Sequence, residues 1–195
     1  VNPETVQAVN EGREPFPGEA HLQQHLGSLV PSGALRATTD YADAIPGADA
    51  VVLVVPLFVD EAGTPDFGWM DGATRSLAEH LTAGTLVSYE TTLPVGTTRT
   101  RWKPMIEEVS GLREGTDFHL VFSPERVLTG RVFADLRKYP KLIGALSPQG
   151  AAVATSFYEA VLDFDDRPDL ARPNGVWDLG STEASELAKL AETTY

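Results

Sequence analysis

The chain has no cysteine and only two methionines among its 195 residues. The first absence excludes disulfides, thiolate zinc sites and a thiol nucleophile within this sequence. Together with the lack of a secretion signal, it leads to the expectation of a cytoplasmic protein. No initiator methionine is present. The opening Val1-Asn2-Pro3-Glu4-Thr5 is neither a signal peptide nor an amphipathic transit peptide, so the chain is expected to begin mid-protein. Long apolar runs are also missing. The longest, Ala50 to Val55 with Pro56 and Leu57, falls far short of the roughly 20 residues of a membrane span. Positive charge is scarce, with 15 Lys and Arg against 28 Asp and Glu and a net charge of −13. Such a field repels polyanions, so neither nucleic acid nor a membrane is an expected partner.

What is present is an ample apolar fraction of 42%, enough for a sizeable core. Asn2 and Pro3 read as the cap and first position of a helix closed by Gly12. Leu22, Leu26 and Leu29 give a second helix over Glu19 to Leu29. Ala34 to Thr38 reads as extended, and Asp40 caps a helical turn through Ile45. The β-branched run Ala50 to Val55 has no alternation, which predicts a parallel strand buried on both faces. Further strands are expected at Thr85 to Tyr89, Phe118 to Phe122, Lys141 to Ile143 and Gly175 to Leu179. Helices are expected at Trp69 to Leu81, Thr97 to Val109 and Ala151 to Val161, with a last one capped by Ser181. Asp163 to Pro173 reads as a loop. This alternation predicts an α/β fold with a parallel sheet and right-handed crossovers.

In open α/β sheets, ligands bind beyond the carboxyl ends of the strands. Three of these ends hold chemically useful residues: Pro56-Leu57-Phe58, the stretch Glu90 to Thr98, and Ser123-Pro124-Glu125-Arg126. Hydroxyls and a helix start at Thr97 suit a phosphate or a positioned water. Glu125 beside Arg126 offers an acid–base group next to a cation. Each also has a plain reading, as a turn, a cap or a surface ion pair. The stretch 126–141 holds Arg126, Arg131, Arg137, Lys138 and Lys141 with Asp135 its one acid. It is either a solvated surface or a local anion site. His21 and His25 lie at i, i+4 with no third ligand nearby, so they read as surface histidines, and no metal is expected. His80 and His119 read as structural, and Trp69, Trp102 and Trp177 as packing anchors.

Taken in order, these stretches resemble the nucleotide-sugar dehydrogenase family, whose members oxidise a UDP- or GDP-linked hexose to its uronate. The matching features are Val1-Asn2-Pro3, Arg36 to Asp40, Glu90 to Thr98 (ETTLPVGTT), Ser110 to Leu112, Phe122 to Arg126 (FSPER), Pro140 to Gly144 and Ala188 to Tyr195. The FSPER stretch followed by Gly130-Arg131 looks more like the branch acting on N-acetylated sugars. The resemblance implies NAD as cofactor, a nucleotide sugar as substrate, a homodimeric parent and a place in polysaccharide biosynthesis. It implies hydride loss from the sugar C6 alcohol, capture of the aldehyde by a cysteine, a second oxidation and hydrolysis. It makes Thr92, Glu125 and Lys189 catalytic: a water holder, an acid–base group and an oxyanion stabiliser. Val55, Pro56, Thr91, Thr92 and Glu125 would meet the cofactor. Arg126, Val127, Leu128, Arg131, Lys189 and Thr193 would meet the sugar nucleotide.

The departures are equally specific. The family opens with a strand, a GxGxxG turn, a helix and a second strand ending in an acid, and this sequence starts just after that acid. The family's cysteine lies beyond the point where the sequence stops. Thr193 stands where asparagine is often found, Leu57 where threonine is usual, and Thr129 where some members carry an acid. The expectation is therefore an internal fragment, inactive alone. It would comprise a Rossmann-like sheet over 1–180 lacking its first two strands, then the start of a long connecting, dimerising helix over 181–195. Ala50 to Val55 would have one open edge, either bare and prone to association or paired with Ala34 to Thr38. Two other readings are a 6-phosphogluconate-type hydroxyacid dehydrogenase, against which FSPER argues, and a non-catalytic nucleotide-sugar-binding or regulatory protein.

Overall fold

The computed structural model describes residues 2–194. Helix α1 (Pro3–Asn10) starts where the Asn2 side chain accepts from the Glu4 amide at 2.9 Å. Helix α2 is Leu22–Leu29, three residues shorter than predicted, because His21 adopts a left-handed φ of 67° that cannot continue a helix backwards. Asp40 caps the short α3 (Tyr41–Ala44).

Strand β1 (Ala50–Leu53) follows, then a small hairpin of β2 (Phe58–Val59) and β3 (Pro65–Asp66). Helix α4 (Gly68–Ala78) leads into β4 (Leu86–Tyr89). The helix predicted over 97–109 opens instead with a π-helical turn, Thr98–Trp102, before α5 (Lys103–Ser110). Pro104 explains it: proline offers no N–H and its ring crowds the carbonyl four residues back, so a wider turn relieves the clash. Strand β5 (His119–Phe122), α6 (Val132–Lys138), β6 (Lys141–Ala145), α7 (Pro148–Val161), β7 (Val176–Asp178) and α8 (Thr182–Thr194) complete the order.

The main sheet runs β1-β4-β5-β6-β7. Strands β1, β4 and β5 are parallel, as predicted. The remainder corrects the expectation of a wholly parallel sheet: β6 is antiparallel to β5, and β7 is parallel to β6. The connection 123–140, which carries α6, joins the end of β5 to an antiparallel β6. The chain therefore re-enters from the edge it left.

Strands β4 and β5 are buried on both faces. Val87, Tyr89, Leu120 and Phe122 pack with Met70, Leu77, Trp102 and Ile106 on one side, while Leu86 and Val121 pack with Ala154 and Tyr158 on the other. Tyr89 stacks on Trp102 at 4.3 Å and 9°, and its hydroxyl meets Thr74 Oγ1 at 2.6 Å. Full burial of such side chains stabilises by about 2–3 kcal/mol each. Trp102 is the packing anchor expected. Trp69 is not, at 64% exposed with its ring edge-on to Phe58, and Trp177 is half-buried under Arg172.

The predicted strand 50–55 ends at Leu53, and it is not buried on both faces: Val52 is 39% and Val54 64% exposed. As the outer strand, β1 has β4 as its sole sheet neighbour among the described residues. Ala34 to Thr38 did not slide inward to pair with it. That segment is held by a side chain, Asn10, whose amide both accepts from the Ala37 N–H and donates to the Ala37 carbonyl, each at 2.8 Å. No helix among the described residues is long and apolar enough to cross a membrane.

Candidate functional site

Because β1, β4 and β5 are parallel, their three predicted ligand-bearing ends share one edge. Main-chain bonds continue the sheet past the strands: Glu90 N–H to Leu53 O at 3.0 Å, Ser123 N–H to Tyr89 O at 2.8 Å, and Glu125 N–H to Glu90 O at 3.1 Å. The Thr91 hydroxyl donates to the Val55 carbonyl at 2.7 Å, tying the β4 loop to the β1 loop. A cleft of about 330 Å³ results, lined by Val54, Pro56, Leu57, Glu90, Thr91, Thr92 and Glu125. It gathers four of the five residues expected to meet the cofactor. The fifth, Val55, lies with Pro56 in a neighbouring apolar hollow of about 620 Å³, walled by Tyr41, Trp69, Gly72 and Ala73 among others.

The six residues expected to meet the sugar nucleotide converge on a different cleft, of about 270 Å³. It is lined by Arg126, Val127, Leu128, Arg131, Asp135, Tyr139, Lys189, Glu192 and Thr193. Four of the five cations in 126–141 are already ion-paired. Arg126 meets Glu192 at 2.9 Å, Arg131 meets Asp135 at 2.9 Å, Arg137 meets Asp163 and Asp165, and Lys141 meets Glu90 at 2.9 Å. The stretch is thus neither a bare surface nor a bare anion patch. Thr193 turns its hydroxyl onto its own helix, at the Lys189 and Leu190 carbonyls.

The wall between the two clefts is the Glu125–Arg126 backbone, and Lys189 binds it directly. Its Nζ donates to the Glu125 carbonyl oxygen at 2.5 Å. The Glu125 carboxylate accepts from the Val127 N–H. Two features bring α8 close enough. Gly144 in β6 lies so near the start of α8 that a Cβ there would sit 2.0 Å from the Ser181 carbonyl oxygen. Glu186, one turn before Lys189 and fully buried, accepts from Gly96 N at 2.5 Å, Thr98 N at 2.9 Å and Thr98 Oγ1 at 2.6 Å. Burial pushes its carboxyl up, and those donors pull it back.

Behind Glu125 lies a buried polar group built on Lys141, which the sequence placed in the basic stretch 126–141 without any sign of its burial. Lys141, 6% exposed, reaches Glu90 and lies 3.4 Å from the Ser123 carbonyl, above the Tyr158 ring. The Tyr158 hydroxyl contacts Glu90 Oε1 at 2.7 Å and Ser88 Oγ at 2.7 Å. Burial drives the Lys141 ammonium down despite Glu90, and it raises the Tyr158 hydroxyl well above its usual range. Lys141 reaches this edge only because β6 is reversed, which its sequence context does not signal. His21 and His25 are both exposed, and among the described residues no group of three or more His, Asp or Glu is placed to hold a metal ion.

A family model described as the NAD-binding domain of the UDP-glucose/GDP-mannose dehydrogenase family matches residues 1–162. The chain is 29% identical over 197 residues to the UDP-N-acetyl-D-mannosamine dehydrogenase of Pyrococcus horikoshii, covering 100% of this chain and 43% of that protein. It is 32% identical over 165 residues to an NDP-N-acetyl-D-galactosaminuronic acid dehydrogenase of Ralstonia nicotianae, covering 82% of this chain and 38% of that protein. Among solved structures, an NDP-N-acetyl-D-galactosaminuronic acid dehydrogenase from Methanosarcina mazei matches with a TM-score of 0.86 at 30% identity, over 97% of this chain and 38% of that one. The chain spans less than half the length of these relatives.

Proposed function

Since the chain belongs to the UDP-glucose/GDP-mannose dehydrogenase family, we propose that it supplies the cofactor cleft and part of the catalytic set of an enzyme that oxidises the C6 alcohol of a nucleotide-linked N-acetylhexosamine to the uronate. The observation that carries the reading is the contact between Lys189 and Glu125, which sits on the wall shared by the two clefts. NAD is the cofactor of this domain family. The strand-end cleft fits it chemically: apolar Val54, Pro56 and Leu57 line it together with Thr91 and Thr92, and the aromatic hollow beside Val55 continues it. When bound there, NAD accepts the hydride. Glu125, at the shared wall, takes the proton of the C6 hydroxyl. Lys189 stabilises negative charge developing on that oxygen. Thr92 holds the water that hydrolyses the later acyl intermediate.

Arg126, Val127, Leu128 and Arg131 form the sugar-nucleotide side. The bond from Arg131 to Asp135 uses one of five guanidinium donors, which leaves donors for a phosphate. The N-acetylated substrate class follows the Gly130-Arg131 pair after FSPER, and two N-acetylhexosamine-type relatives share that preference in their names. Residues 1–180 act as the cofactor domain and 181–195 as the start of a connecting helix of a cytoplasmic homodimer that feeds polysaccharide biosynthesis.

The test uses the full-length polypeptide carrying this sequence, with NAD and, in separate reactions, UDP-N-acetyl-D-mannosamine, UDP-glucose and GDP-mannose. Reduction of two NAD per N-acetylated sugar is expected. The isolated 195-residue chain, which holds neither a GxGxxG turn to seat the hydride acceptor nor a thiol for the second oxidation, should reduce none. Binding of the sugar by the full-length protein without any NAD reduction would favour a non-catalytic binding protein instead.

A further inference from the structure

We propose that Glu19 is a positioning residue for the sugar-nucleotide loop, a buried carboxylate that clasps residues 127–132 from outside the cleft. The inference rests on assigning the 270 Å³ cleft to the nucleotide sugar. Glu19 is 9% exposed and belongs to the segment between α1 and α2, more than a hundred residues from the loop in sequence. Its Oε2 accepts from the Gly130 N–H at 2.7 Å and its Oε1 from the Val132 N–H at 2.8 Å. Gly130 has a φ of +91°, and a Cβ there would lie 3.3 Å from the Gly18 carbonyl oxygen. The two segments therefore meet backbone to backbone. The His25 and Phe133 rings, 4.5 Å apart, extend the same contact.

The rest of the loop is gripped from within. Val127 N–H donates to Glu125, Leu128 N–H to Asp135 at 3.1 Å, and Arg131 N–H to the Leu128 carbonyl at 3.1 Å. Of the three amides these contacts leave over, Glu19 supplies the acceptors for two, those of Gly130 and Val132. Val127, Leu128 and Arg131 line the cleft, whereas Glu19, Gly130 and Val132 do not. Glu19 thus acts through the loop. Bonds from amides to a carboxylate are charge-assisted and short, and two of them offset the cost of burying the charge. Without them, the loop would sample other arrangements, and the ligand would bind only the fraction already in place.

The experiment compares the full-length protein with its Glu19→Gln variant, which keeps the side-chain size but sets an amide NH2 against a backbone N–H. Hydrogen exchange is read by mass spectrometry, and kinetics are measured with UDP-N-acetyl-D-mannosamine and NAD. Exchange should accelerate in peptides spanning 127–134 and not in those spanning β4 and β5. The KM for the sugar nucleotide should rise roughly tenfold, with kcat at saturating sugar and the KM for NAD near the parent values. A variant that only loosened the fold would move all of these together. Unchanged exchange at 127–134 overturns the clasp itself. Faster exchange with an unchanged sugar KM overturns the proposal through its premise, the assignment of the cleft to the sugar. If Glu19→Gln fails to fold, Glu19→Asp makes the same test, because it keeps the carboxylate but is one methylene too short to reach both the Gly130 and Val132 amides. The same pattern supports the proposal there, and its absence overturns it.

Discussion

The ammonium of Lys189 donates to the main-chain carbonyl of Glu125 at 2.5 Å, joining the last helix to the end of a central strand at the wall between two clefts. Both residues are assigned to charge that develops during reaction. In the full-length protein, Glu125→Gln and Lys189→Ala should each lower kcat by roughly 10²- to 10³-fold while binding of the nucleotide sugar changes little. Steady-state kinetics beside calorimetric binding will separate the two. A variant that raises only KM would remove its residue from the chemistry.

Gly144 sets the approach of α8 to β6. A Cβ at this position would lie 2.0 Å from the Ser181 carbonyl oxygen and 2.9 Å from Ser185 Cβ, so the helix must move. Gly144→Ala is expected to cost about 1–3 kcal/mol or more and to lower turnover by carrying Lys189 away from Glu125. Gly27→Ala, inside α2 with nothing within 4 Å of the added methyl, is the control. It should be neutral or slightly stabilising. Equal thermal shifts for the two variants would contradict the packing argument.

Lys141 and Glu90 form an ion pair with side chains only 7% and 12% exposed. Removing one partner leaves the other charge buried, which typically costs about 3–5 kcal/mol. Lys141→Met should therefore lower the melting temperature markedly, and the double variant Lys141→Met/Glu90→Gln should recover much of the loss. A double variant less stable than the single one would show that the carboxylate is held by other groups.

Arg99 and Glu183 link the π-helical turn to the start of α8 at 2.5 Å. The hydrogen-bonded guanidinium holds Glu183 down to about 2, from an ordinary 4.5. A depressed carboxylate contributes stability that is present above the unfolded value and lost as pH falls from there towards the folded one. These side chains are 45% and 31% exposed, so solvent screening limits the contribution to about 0.5–1 kcal/mol. The stability gap between the parent and Arg99→Ala should be full near neutral pH and shrink as pH falls from 4.5 towards 2. Thermal melts that show a constant gap across this range would discount the pair.

Much of this molecule is written locally in its sequence. Short, mostly apolar runs without alternation specify β4 and β5, because a strand buried on both faces needs no polar alternation. Asn2, Asp40 and Ser147 cap helices through side-chain bonds that span two or three residues. The strand-end position of Thr92 and Glu125 follows from the parallel order of three strands. The tertiary structure alone decided the rest. The reversal of β6 depends on how the connection 123–140 returns to the sheet, and it carries Lys141 to the edge where Glu90 waits. The exposure of Val52 and Val54 depends on what flanks β1, which an apolar run cannot encode. Glu186 reads as an ordinary helix acid until it is found buried on the Gly96 to Thr98 turn. Glu19 likewise has no distinguishing neighbours in sequence, because its partners at Gly130 and Val132 are brought to it only by folding. Periodicity and capping are short-range and leave a pattern in the chain. A carboxylate satisfied by distant backbone amides leaves none, since any amide can be its donor.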